Sequence, residues 1–168
     1  LMNAIVANKE DPKDYGNVFD TISVCLSKGL GAPMGTVLIG NSSLMKNAIR
    51  VRKVLGGGMR QVGFMAAAGL YAMEHQVDRL EEDHQKAKQI ALHLESLSYI
   101  KKVEPTQTNI VIFYIQEGLN QEDFISALAA KNIRISDMGQ GKLRVVTHHD
   151  YTSQMHSVFL DTLTAYKH

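Results

Sequence analysis

Three groups of residues have types and spacing that could do chemistry. The first is Lys28, in the stretch Ser23-Val24-Cys25-Leu26-Ser27-Lys28-Gly29-Leu30-Gly31-Ala32-Pro33-Met34-Gly35. The apolar run before it reads as a strand, and Gly29, Gly31, Pro33 and Gly35 exclude both helix interior and continuous strand after it. A lysine at a strand exit, with its backbone fixed and room for close approach, suits attack on a carbonyl as a Schiff-base lysine. The same residues also suit a solvated loop lysine.

The second group is Arg50-Val51-Arg52-Lys53-Val54-Leu55-Gly56-Gly57-Gly58-Met59-Arg60-Gln61. Glycines opening a helix beside cations attract anions, because unpaired N–H groups and the helix dipole point to one place. Any helix-glycine-helix junction shares that look. The third is Arg144, in Leu143-Arg144-Val145-Val146-Thr147, where strand alternation turns Leu143 and Val145 to one face and Arg144 to the other. Its fork matches a carboxylate or lies in solvent. His148, His149 and Asp150 do not read as a metal site: neighbours on an extended chain point apart, and no further ligand follows at recognisable spacing.

Taken together, the lysine loop, the arginine-glycine stretch and the alanine-rich run Met65 to His75 closely resemble the low-specificity L-threonine aldolases. Pro105 to Val111 (P-T-Q-T-N-I-V) and Leu143 to Asp150 continue the likeness in register along the chain. These are pyridoxal-phosphate enzymes of the aspartate-aminotransferase fold. The resemblance implies the cofactor pyridoxal 5′-phosphate, with Lys28 as the catalytic, cofactor-binding lysine and Arg60 close to the cofactor. It implies Arg144 on the substrate α-carboxylate and Lys53 near the substrate; Asn109, in Thr106-Gln107-Thr108-Asn109, either lines the site or is a polar cap at a strand start. The implied reaction is cleavage of L-threonine or L-allo-threonine to glycine and acetaldehyde by a homo-oligomer, dimer or tetramer. The family's residues that hold the pyridine nitrogen, stack on the ring and bind the phosphate match no position here. The chain opens at Leu1 inside an uncapped helix, so the expectation is the C-terminal part of a longer protein.

Positioning these residues takes an α/β fold. The resemblance implies the end of a fold-type-I, pyridoxal-phosphate-dependent transferase-like large domain over residues 1–85 and a small α/β C-terminal domain over 86–168. The pattern predicts a short opening helix, a polar stretch with a turn at Asp11-Pro12, and strand, lysine loop, strand. Ser42 and Ser43 are candidate caps for the helix that ends at the triple glycine. The next helix, Met59 to Gln76, is apolar nearly all round and is expected to be buried. A long charged helix follows from Arg79, with Leu80, Ala87, Ile90, Ala91 and Leu94 at helical spacing. Strands are predicted at Asn109–Ile115, Ile133–Ser136 and Leu143–Thr147, with helices capped by Asn120 and Thr152. The last helix is expected to turn Met155, Val158, Phe159, Leu163 and Tyr166 inward.

Composition removes other classes. A net charge of +1 gives no reason to expect nucleic acid as partner. No apolar run nears the ~18 residues of a membrane helix, and Cys25 is the single cysteine, read as a small buried hydrophobe. The expectation is a cytoplasmic enzyme acting on a small amino acid, with no metal. Two other readings fit the same residues. One is another reaction of the same fold, by a β-eliminating lyase or an aminotransferase. The other is a truncated, non-catalytic interaction partner, which would expose apolar surface where a large-domain sheet should pack.

Overall fold

Asp11-Pro12 starts a helix in the computed structural model, which describes residues 1–167. The Asp11 carboxylate accepts the Lys13 N–H and proline takes the first helical position, where its missing N–H costs nothing. The polar stretch after α1 (Met2–Asn8) is therefore a second helix, α2 (Pro12–Val18). Next come β1 (Thr21–Cys25) and β2 (Thr36–Gly40), an antiparallel pair with Thr21 opposite Gly40 and Cys25 opposite Thr36. The helix α3 (Ser42–Val54) is capped by Asn41 rather than by a serine: its Oδ1 accepts the Leu44 N–H at 2.9 Å and the Ser43 hydroxyl at 2.8 Å. α4 (Gly63–His75) completes a first compact unit, Leu1–Leu80. Its core is small: Leu26, Leu30, Ala32, Ala72 and Leu80 are buried, with Met2, Val6 and Val77 packed against them.

The expected burial of α4 does not hold within this unit. Only Gly69 and Ala72 are buried, while Phe64 is 75% and Leu70 63% exposed. The physical reason is layer count. An all-apolar helix needs cover on every side, and a two-stranded sheet is too narrow to supply it.

The second unit starts at Glu81 and holds α5 (Leu80–Glu95, bar its first residue), β3 (Ile100–Val103), β4 (Ile110–Ile115), α6 (Gln121–Ala129), β5 (Ser136–Asp137), β6 (Leu143–Val146) and α7 (Ser153–Ala165). Its four strands form an antiparallel sheet in the order β3-β4-β6-β5. Val111, Phe113 and Leu143 join one cluster with Ala87, Ile90 and Leu94 of α5, Phe124 and Leu128 of α6, and Phe159 and Leu163 of α7. β3 escapes the pattern because Ile-Lys-Lys-Val is an edge strand whose exposed lysines pair with Glu117 and Glu104. In α7 the buried stripe is His156, Phe159 and Leu163, whereas Met155 and Val158 are 54% and 50% exposed. Two stripes one residue apart fit helical spacing almost equally, and the phenylalanine decides which turns in.

Phe124 is the hub of this core. Its ring lies 4.9 Å from Tyr166, 5.9 Å from Tyr99 and 6.3 Å from Phe113, and the Tyr99 hydroxyl donates to the Leu163 carbonyl at 2.7 Å. Phe124→Ala should destabilise this unit by about 3–5 kcal/mol, read as a drop in urea midpoint. Val158→Ala should stay within about 0.5 kcal/mol; equal effects would contradict the packing described.

Among the described residues, two histidines are buried in the same unit, His84 and His156. Burial holds the pKa of each below the ordinary value; at His84 the Glu81 and Asp83 charges oppose it and Lys88 adds to it, and at His156 the Lys86 and His93 charges add to it. The Tyr151 hydroxyl sits 3.2 Å from His156 Nδ1, and His156 Nε2 has no partner among the described residues. The folded unit thus favours the neutral form of both rings, while the unfolded chain protonates them below about pH 6.5. Their contribution is fully present above that pH and declines as pH falls toward the depressed native values. The thermal midpoint should fall between pH 7 and 5, and His156→Gln should flatten that slope. A flat wild-type profile would contradict the assignment.

Candidate cofactor and substrate site

Lys28 follows β1 on a loop whose backbone is pinned from within. Leu26 N–H donates to the Gly35 carbonyl at 3.0 Å, Ala32 N–H to Leu26 at 3.0 Å and Gly31 N–H to Lys28 at 2.9 Å. Leu30 and Ala32 are buried, so the loop is anchored on both sides of the tip. Gly31 and Gly35 take φ of +70° and +121°, which a side chain would strain. At Gly29 a Cβ would come within 3.0 Å of Asn3 Nδ2 and 3.1 Å of Leu80 Cδ2, so glycine lets the loop sit down on α1. The Lys28 side chain itself is exposed, and no hydrogen bond or ion pair holds its ammonium among the described residues. A fixed backbone carrying an uncommitted amine can bind an electrophile without breaking a prior contact.

Cys25 is half-buried rather than fully buried. Its thiol lies 3.5 Å from the Ser27 hydroxyl. Hydrogen bonding from Ser27 lowers its pKa, with the Lys28 charge adding to the effect.

The triple glycine ends α3, as expected, but does not open the next helix. Gly56 N–H donates to the Lys53 carbonyl at 3.1 Å and Gly57 N–H to Arg52 at 2.7 Å, so the glycines close the C-terminal end of α3. α4 begins only at Gly63, after a turn that carries Arg60. Arg52 and Lys53 therefore sit at the negative end of the α3 dipole, which favours cations. Gly58, at φ +148°, makes room for Lys53: a Cβ there would lie 3.0 Å from Lys53 Nζ. Lys53 and Arg60 are both exposed.

Arg144 belongs to the second unit, on β6 between Ile112 of β4 and Ser136 of β5. Its neighbour Leu143 is fully buried, in the core cluster, and Val145 packs against that cluster, so Arg144 occupies the opposite face of the sheet. It is half-buried, and its Nε is buried without a hydrogen-bond partner among the described residues. An orphaned donor of this kind costs about 1–3 kcal/mol. A bound carboxylate would satisfy it.

Asn109 has a structural task. Its amide donates to the Thr147 carbonyl at 2.8 Å, Thr147 N–H returns a bond to the Asn109 carbonyl at 3.0 Å, and the Thr147 hydroxyl donates to the Asp83 carbonyl at 2.6 Å. This buried clamp fixes the end of β6 three residues beyond Arg144. In the sequence Thr147 is only a β-branched residue closing a strand, with no signal of that role. His148 faces Asp150 at 3.8 Å, and among the described residues no three metal-ligating side chains converge. No described helix is long and apolar enough to cross a membrane.

The uncommitted Lys28 amine and the orphaned Arg144 Nε fit an aldehyde cofactor and a carboxylate substrate respectively. Comparison with known proteins bears on the same point. The sequence profile of the Beta-eliminating lyase family matches residues 1–118. Low-specificity L-threonine aldolase 1 of Arabidopsis thaliana is 36% identical over 156 residues, 91% of this chain and 44% of that protein. The low specificity L-threonine aldolase of Escherichia coli (strain K12) is 38% identical over 154 residues, 92% of this chain and 45% of that protein. The chain thus spans less than half the length of these relatives. The solved structure of Leishmania major threonine aldolase superposes with a TM-score of 0.73 at 15% identity, covering 97% of this chain and 48% of that one. The fold is accordingly part of the fold-type-I architecture.

Proposed function

This chain belongs to the β-eliminating lyase family, and from that premise we propose that it is the lysine-bearing part of a pyridoxal-phosphate-dependent aldolase. The proposed reaction cleaves L-threonine or L-allo-threonine to glycine and acetaldehyde. The observation that carries this reading is the exposed Lys28, unpaired among the described residues, on its pinned loop.

Bound pyridoxal 5′-phosphate would supply the electron sink that Cα–Cβ cleavage needs. Lys28 binds the cofactor through Nζ, and the loop around it fixes the direction of approach. Lys53 and Arg60 bring positive charge to the anionic cofactor and substrate. Arg144 holds the substrate α-carboxylate through its guanidinium and so orients the amino acid. In this reading residues 1–85 are the end of the cofactor-binding domain and 86–168 the small domain. The family's residues for the ring nitrogen and phosphate match no position in this chain, which spans less than half of its relatives, so turnover is proposed for a longer enzyme of which this chain is part. That longer enzyme is a cytoplasmic homo-oligomer, dimer or tetramer. The exposed apolar surface of α4 and of β2 supports association.

The test is product analysis of the purified longer enzyme that contains this chain, with pyridoxal phosphate and L-threonine or L-allo-threonine. Glycine and acetaldehyde should form in equal amounts. Predominant 2-oxobutanoate would replace the aldolase with an eliminating lyase, and keto-acid-dependent amine loss with an aminotransferase.

A further inference from the structure

The second unit carries a cleft that none of the roles above uses. It has a volume of about 670 Å³ and lies between the segment entering β5, the end of β6 and the first turns of α7. Ile133, Val145, Val158 and Phe159 give it an apolar wall, and Lys131 and Arg134 stand at its edge. No aspartate or glutamate lines it, and neither does Arg144. Clefts of this size with an apolar lining and a few placed polar groups are the usual form of a small-molecule site.

The charges narrow the ligand. His148, the third basic residue at the cleft, is engaged with Asp150, whose N–H donates to its Nδ1 at 3.3 Å. Lys131 also borders a neighbouring cleft that contains Asp161. Arg134 is exposed, without an ion pair among the described residues and without a carboxylate in either lining. An amino acid would bring an ammonium that finds no acceptor carboxylate here and meets two cations instead. A neutral hydrocarbon would leave the arginine fork unused. We propose that this cleft binds a small organic anion, a carboxylate on a short aliphatic body, with the carboxylate on Arg134 and the aliphatic part against Val145, Val158 and Phe159. This site is separate from the proposed substrate site and does not depend on it.

Hexanoate is the probe, titrated into the full chain while the methyl resonances of Ile133, Val145 and Val158 are followed by NMR. Saturable shifts at these residues are expected, with hexanamide and L-norleucine at least about tenfold weaker. Arg134→Gln should lose about tenfold in affinity, while Lys9→Gln in the first unit should bind as the wild type does. Equal binding of hexanamide, an unaffected Arg134→Gln, or no shift at millimolar hexanoate would each overturn the proposal. So would shifts spread equally over exposed apolar residues of the first unit such as Leu70, which would mark non-specific partitioning.

Discussion

Lys28→Ala should abolish retention of pyridoxal phosphate after dialysis and, in the assembled enzyme, lower aldol cleavage by on the order of a thousand-fold or more. The expectation is this large because the amine is a covalent partner and no neighbouring side chain on the loop can replace it. Leu30 and Ala32 face inward, and Ser27 is engaged with Cys25. Lys28→Arg separates charge from chemistry: it keeps the cation but stays protonated, so it cannot attack. It should be as inactive as the alanine variant. Neither change should alter stability by more than about 0.5 kcal/mol, because the exposed side chain holds nothing and the loop is pinned by backbone hydrogen bonds and its own apolar residues. Cofactor content, acetaldehyde initial rate and thermal midpoint, measured on one preparation, check all three statements. A Lys28→Arg protein that retained cofactor would contradict the nucleophilic role.

Replacing Arg144 should move function and stability in opposite directions. Its Nε is buried and unsatisfied, which is a cost to the folded chain. Arg144→Met removes that cost and keeps the aliphatic stem, so the second unit should hold its stability or gain about 1 kcal/mol. The same change removes the partner of the substrate carboxylate. Loss of a charged hydrogen bond of about 1.5–3 kcal/mol corresponds to roughly 10–150-fold, expected chiefly in KM for threonine. Arg144→Lys should recover little of this, since a point charge cannot reproduce the fork. A structural arginine would show the reverse: lower stability with KM unchanged. Denaturant unfolding beside threonine kinetics distinguishes the two.

What could be read in the sequence was what local residues decide. The lysine loop is legible because glycine and proline exclude regular structure between two apolar runs, and the structure supplies β1, loop and β2 in that order. The face of Arg144 is legible because strand alternation is strict and Leu143 has to be buried. What depends on distant residues was not legible. The exposure of α4 is set by the number of layers available to cover it, not by its own composition. The end of α3 at the triple glycine is legible, and the bonds from Gly56 and Gly57 back to Lys53 and Arg52 bear it out. The immediate start of the next helix is not what forms, because glycine serves both ends of a helix and α4 begins only at Gly63. The orphaned Arg144 Nε and the Asn109–Thr147–Asp83 clamp are three-dimensional facts without a spacing rule. Asp11-Pro12 is a nearer miss, because an acidic cap followed by proline is as much a helix start as a turn.

The central claim is that Lys28 is the residue that takes the cofactor. Borohydride reduction of the protein incubated with pyridoxal phosphate, followed by peptide mapping, tests it most directly. The account predicts stable label on the peptide carrying Lys28 and its loss in Lys28→Ala. Label concentrated on Lys53, spread evenly over the exposed lysines, or unchanged in Lys28→Ala would contradict it.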